Sequence, residues 1–121
     1  MVYQEIEVRG LILNFDEYQK LASATAIYPR IGNNVYYPAL ALAGESGEVC
    51  NKISKIMRDH SDIITNEMKL ELENELGDVL WNLSQLATEL CLSLDEVATN
   101  NLRKLKSRKD RNKLRGGGDN R

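Results

Sequence analysis

Glu45 and Glu48 stand three residues apart, and Glu75 and Asp78 repeat that spacing further along the chain. On an α-helix this separation puts two side chains on one face, about 5–6 Å apart. If the two segments pack as neighbouring helices, the four carboxylates face one another. Such a group cannot stay fully ionised without a counter-charge. Hard oxygen ligands suit Mg²⁺ or Mn²⁺, and the lack of His and Cys partners argues against Zn²⁺. Either acidic pair alone reads as a solvated helix face. Together they favour a metal site, because each borders an apolar stripe and each lies beside glycine, Gly44 and Gly47 in one case and Gly77 in the other. A glycine inside a helix costs about 1 kcal/mol relative to Ala, so close approach of a helix or a ligand is expected there. Glu71, at the outer end of its stripe, reads as solvated.

The elements that must position these groups are legible from caps and periodicity. Asn14 is a candidate N-cap for a first helix over about Phe15–Ala26, ended by the loop around Pro29, Gly32 and Asn33-Asn34. A second helix is expected from Tyr37-Pro38 to about Arg58, with Pro in the first turn. Thr65 is placed to cap a third, reaching about Leu90. There Leu72, Leu76, Val79, Leu83, Leu86 and Leu90 recur at steps of three and four, as a core-facing stripe does. Beside it runs a polar stripe of Glu71, Glu75, Asp78 and Asn82. Ser93-Leu94-Asp95-Glu96 fits a capping box opening a fourth helix through about Lys109. The expected fold is all-α, an antiparallel four-helix bundle over residues 14–115. Residues 1–13 read as a short strand or extended arm, and 116–121 as a flexible Gly-rich tail.

The chain of 121 residues has a net charge of −2 that conceals a split. Residues 1–101 carry 7 basic and 16 acidic groups, or −9, and residues 102–121 carry 9 basic and 2 acidic groups, or +7. No uncharged stretch is long enough for a membrane span, and charges break up the first residues where a signal peptide would lie. Two cysteines, Cys50 and Cys91, are too few for a disulfide scaffold and read as buried reduced thiols in a cytoplasmic protein. His60, between Asp59 and Ser61, reads as a solvated loop residue.

The strings Gly44-Glu45-Ser46-Gly47-Glu48-Val49 and Glu75-Leu76-Gly77-Asp78-Val79-Leu80-Trp81, with 26 residues between Glu48 and Glu75, resemble the E-x-x-E…E-x-x-D signature of the MazG-like nucleoside triphosphate pyrophosphohydrolases. The resemblance extends to Asn101, Lys104, Leu105 and Arg108 and covers roughly Tyr18 to Arg115. It implies an all-α fold whose four carboxylates hold Mg²⁺. It also implies cleavage of nucleoside triphosphates between the α- and β-phosphates, and assembly as a homodimer or homotetramer that completes the bundle across subunits.

Breaking a phosphoanhydride requires the phosphate charge to be offset and a water to be aligned with the leaving oxygen. Carboxylate-held metal ions serve both needs. Glu45, Glu48, Glu75 and Asp78 are the expected ligands, with Glu45 alternatively the acceptor of the water's proton. Cations must meet the pyrophosphate. Lys52 shares the face of Glu45 and Glu48, while Asn101, Lys104 and Arg108 share one face of the fourth helix. Gln19, Trp81 and Asn82 are candidates for the base, Trp81 reading first as a core residue, and Tyr28, Tyr36 and Tyr37 for stacking or subunit packing. The competing reading is a helical module binding nucleic acid through residues 102–121, which the −9 body opposes. A di-iron bundle needs Glu-x-x-His on two helices, and His60 cannot supply it.

Overall fold

The structure, a computed structural model, describes residues 13–121. The expected N-terminal arm, apart from Leu13, lies outside the described residues. Four helices follow in order: α1 (Phe15–Ser23), α2 (Tyr36–Asp59), α3 (Asn66–Glu89) and α4 (Leu94–Asp110). There is no strand among the described residues.

Three of the helices begin where a short polar side chain takes up an orphan backbone N–H. Asn14 Oδ1 accepts from the Glu17 N–H at 2.8 Å, Thr65 Oγ1 from Met68 at 3.2 Å and Ser93 Oγ from Glu96 at 3.2 Å. The start of α2 differs. Val35 offers no side-chain cap, and Asn34 Oδ1 accepts from the Tyr37 N–H at 3.2 Å instead. The last residues of α3 and α4 close in the same way. Leu92 N–H reaches back to the Ala87 carbonyl and Lys113 N–H to that of Arg108, with Cys91 and Asn112 left-handed at φ 56° between them. The first helix stops at Ser23, short of the expected Ala26. Thr25 and Ala26 bond back to the Ala22 and Ser23 carbonyls, a tighter turn that leaves the α-helical path.

The long antiparallel pair α2 and α3 is the body of the molecule; α1 packs on α3, and α4 packs on α1. This arrangement corrects the expected core. Leu76, Leu83 and Leu90 of the leucine stripe are 55%, 40% and 51% exposed, because α4 sits on α1 rather than over that side of α3. The buried apolar residues among those described are Tyr28, Pro38, Ile56, Ala87 and Leu94, while Ser84, Gln85, Asn82 and Glu89 are buried polar groups.

A hydrogen-bonded network therefore fills part of the place that apolar packing usually holds. Glu89 accepts from the Tyr28 hydroxyl, from Gly32 N–H at 2.9 Å and from Asn34 N–H at 3.1 Å. Gln85 Nε2 donates to the Tyr28 oxygen at 2.8 Å. The 28–34 loop is thereby fastened to the end of α3. Cys50 and Cys91 are free and exposed rather than buried, the latter at the left-handed position after α3.

Candidate active site

Glu45 stands on α2 and Glu75 and Asp78 on α3, one turn apart. Their carboxylate oxygens come within 4.8 Å of one another. Glu48, on the next turn of α2, is exposed and lies outside this group, although its charge is felt at Glu45. Burial first, then the negative charge of Asp78, Glu75 and Glu48, pushes the Glu45 carboxyl above its ordinary value. This is the electrostatic stress that a divalent cation relieves.

Lys52, expected to be free for phosphate, is instead paired: its Nζ lies 3.5 Å from Glu71 and 3.7 Å from Glu75. Glu71 is thus exposed, as expected, but engaged. A Cβ added at Gly44, Gly47 or Gly77 would meet no described atom within 4 Å. No neighbouring helix of the described chain crowds these glycines, and the space beside them is open.

A cavity of about 210 Å³ adjoins the carboxylates, lined by Tyr37, Ala41, Glu45, Asp78, Trp81 and Asn82. Three of its walls have fixed partners. Tyr37 stacks on Tyr28, with centroids 4.6 Å apart and planes at 14°. Trp81 Nε1 donates to Thr25 Oγ1 at 2.9 Å, tying the indole to the turn after α1. Asn82 Nδ2 donates to the Asp78 carbonyl at 3.0 Å, and its buried Oδ1 has no partner. Trp81 and Asn82 therefore stand beside the carboxylates.

Gln19 does not. Its Nε2 donates to Thr88 Oγ1 at 3.1 Å and to the Leu92 carbonyl at 2.8 Å, and its Oε1 accepts from Leu94 N–H at 2.8 Å. Both amide donors are spent joining α1 to the α3–α4 junction, so Gln19 is a tether rather than a base-reading group. On α4, Asn101 is exposed. Lys104 and Arg108 bond to Asp119, at 3.1 and 3.3 Å, rather than to the carboxylate cluster.

Two features escaped the reading from residues alone. The network of Glu89 had a visible signal: Gln85 and Glu89 continue the polar stripe of Glu75, Asp78 and Asn82 by steps of three and four. Asp119 had none, being a lone acid in a Gly-rich segment.

A model of the MazG nucleotide pyrophosphohydrolase domain matches residues 38–112, a span that contains Glu45, Glu48, Glu75 and Asp78. The "Gene 37 protein" of Mycobacterium phage L5 is 46% identical over 114 residues, which is 90% of this chain and 100% of that protein. No solved structure matches the chain. With its helical fold, its facing acidic motifs and a family match across most of its length, the chain belongs to the MazG nucleotide pyrophosphohydrolase domain family.

Proposed function

We propose that the protein hydrolyses nucleoside triphosphates between the α- and β-phosphates to a nucleoside monophosphate and pyrophosphate, with Mg²⁺ or Mn²⁺ as cofactor. The observation that carries this reading is the meeting of Glu45, Glu75 and Asp78 at the edge of an aromatic-walled cavity. The donor set fits such an ion, since all three groups offer hard oxygens, and burial together with the neighbouring negative charges already raises Glu45. When bound, the ion offsets phosphate charge and polarises the reacting phosphoryl group.

The roles of the chain's own groups follow from position. Glu45, Glu75 and Asp78 would hold the ion, and Glu48, one turn along α2, would add its charge to theirs. Glu45, half-buried and lining the cavity, is alternatively the group that accepts the proton of the attacking water. The water oxygen bonds to phosphorus, and the bridging oxygen departs with the leaving group. Lys52 steadies Glu75 and neutralises part of the acidic face. Trp81 and Asn82, with Tyr37, take the nucleoside, while Asn101, Lys104 and Arg108 meet the phosphates.

The test is a panel of ribo- and deoxyribonucleoside triphosphates with Mg²⁺ and identification of the products by phosphorus NMR. Monophosphate and pyrophosphate are expected. Release of orthophosphate and a nucleoside diphosphate would sink the assigned bond cleavage.

The protein is also proposed to assemble as a homodimer or homotetramer. Leu40, Met57, Leu70 and Leu102 are each more than 60% exposed, and the buried apolar set is small for four helices. Sedimentation is expected to give at least twice the chain mass of 13.7 kDa. A monomer at micromolar concentration contradicts this.

A further inference from the structure

The segment after α4 is folded back on the helix. Gly116 and Gly118 take φ values of 121° and 80°, which side-chain-bearing residues rarely adopt, and these bends return the chain toward α4. Arg121 closes the loop, donating to the carbonyls of Lys113 at 3.1 Å, Gly118 at 2.6 Å and Leu114 at 3.4 Å. Arg111 donates in turn to the Arg121 carbonyl at 2.9 Å. A Cβ at Gly116 would come within 3.2 Å of the Arg121 side chain. The segment read from composition as flexible thus folds back through these contacts.

What that loop carries to α4 is a carboxylate. Asp119 Oδ1 lies 3.1 Å from Lys104 Nζ and 3.3 Å from Arg108 Nη2. Arg108 Nη2 also donates to the carbonyls of Asp119 at 3.1 Å and Gly118 at 3.4 Å. Under this cover the Arg108 residue is 4% exposed, and its Nε is buried without a partner. Lys104 and Arg108 are the cations proposed above for the phosphate chain. We infer that residues 116–121 form a displaceable strap in which Asp119 occupies the phosphate-binding cations until a polyphosphate displaces it. The inference rests on the proposed role of Lys104 and Arg108.

The balance of charge favours exchange. Asp119 presents one carboxylate, and its side chain is 83% exposed, so solvent and salt weaken its hold. A triphosphate brings several negative charges and many acceptor oxygens to the same two donors. Displacement also frees the buried Arg108 Nε to find an oxygen partner. The strap keeps the two cations paired when no nucleotide is present, and it lowers apparent affinity by the fraction of molecules in which it is closed.

The test compares wild type with Asp119→Asn and with a chain ending at Arg115, all checked for unchanged helical content. Both variants are expected to bind inorganic triphosphate about three- to tenfold more tightly by calorimetry, as a competitor's removal requires. For nucleotide hydrolysis, KM falls by a similar factor while kcat stays within about twofold. Unchanged or weaker triphosphate binding in both variants overturns the strap. Because calorimetry needs no turnover, a wild type that fails to hydrolyse nucleotides defeats the proposed function without deciding this point.

Discussion

Asp78→Asn is expected to lower kcat/KM by at least about a hundredfold while leaving the helical fold intact. Altering groups that merely orient metal ligands costs roughly 10- to 100-fold, and Asp78 is itself one of the three gathered carboxylates. Its side chain is exposed, and only its backbone carbonyl takes part in the bond from Asn82, so the substitution removes charge without emptying the interior. Without metal the variant should melt no lower than wild type, since repulsion at Glu45 is reduced. Added Mg²⁺ should separate the two. Binding at a hundred times its dissociation constant stabilises a protein by about 2.7 kcal/mol, and the variant should lose most of that gain. Thermal melts with and without Mg²⁺, beside steady-state kinetics, read both effects. Full activity in Asp78→Asn would remove the proposed site. Glu48→Gln should be milder, because Glu48 lies outside the group.

The largest effect on stability is expected at Glu89. Replacement by Ala leaves the Tyr28 hydroxyl and the Gly32 and Asn34 N–H groups without their acceptor. Each buried donor so stranded costs about 1–3 kcal/mol. Glu89 is covered by a thin loop rather than a deep core, and water will reach part of what is exposed. A total loss of about 2–4 kcal/mol is therefore expected. The pH dependence gives a separate check. The Tyr28 hydroxyl first, and the Asn34 and Gly32 N–H groups after it, hold the Glu89 carboxyl below its ordinary value against the opposing effect of burial. A depressed carboxyl stabilises the fold fully above the ordinary value of 4.5 and loses that contribution as pH falls through the folded value. The melting-temperature gap between wild type and Glu89→Gln should thus be constant near neutrality and shrink in acid. A gap that widens in acid contradicts the assignment.

Local chemistry was the legible part of this fold. Asn14, Thr65 and Ser93 cap the helices they were expected to cap, since capping is decided within four residues of chain. The meeting of Glu45 with Glu75 and Asp78 was also legible, because helical spacing restricts which faces two neighbouring helices share. What failed needed knowledge of which helix covers which. The leucine stripe of α3 looked like a core face, yet burial depends on where α4 goes, and nothing in the periodicity directs α4 to α1. Gln19 shows the same limit. Its amide suits a base or a backbone equally well, and only the approach of Leu92 and Leu94 commits it to the backbone.

The fastening at Glu89 also sets the register of the carboxylate cluster. Glu89 fixes Asn34, and Asn34 Oδ1 in turn accepts from Tyr37 at the head of α2. Glu45 comes eleven residues after Asn34, and Asp78 comes eleven before Glu89. Counted outward from that single joint, the two antiparallel helices of the hairpin mark off equal lengths, and the opposing carboxylates come level. Glu89 is thus the zero of a ruler whose reading is the spacing of the carboxylates. One residue inserted between Tyr37 and Glu45 would turn the Glu45 side chain about 100° around its helix axis. The alignment of the acidic cluster is set at the other, hydrogen-bonded end of the hairpin.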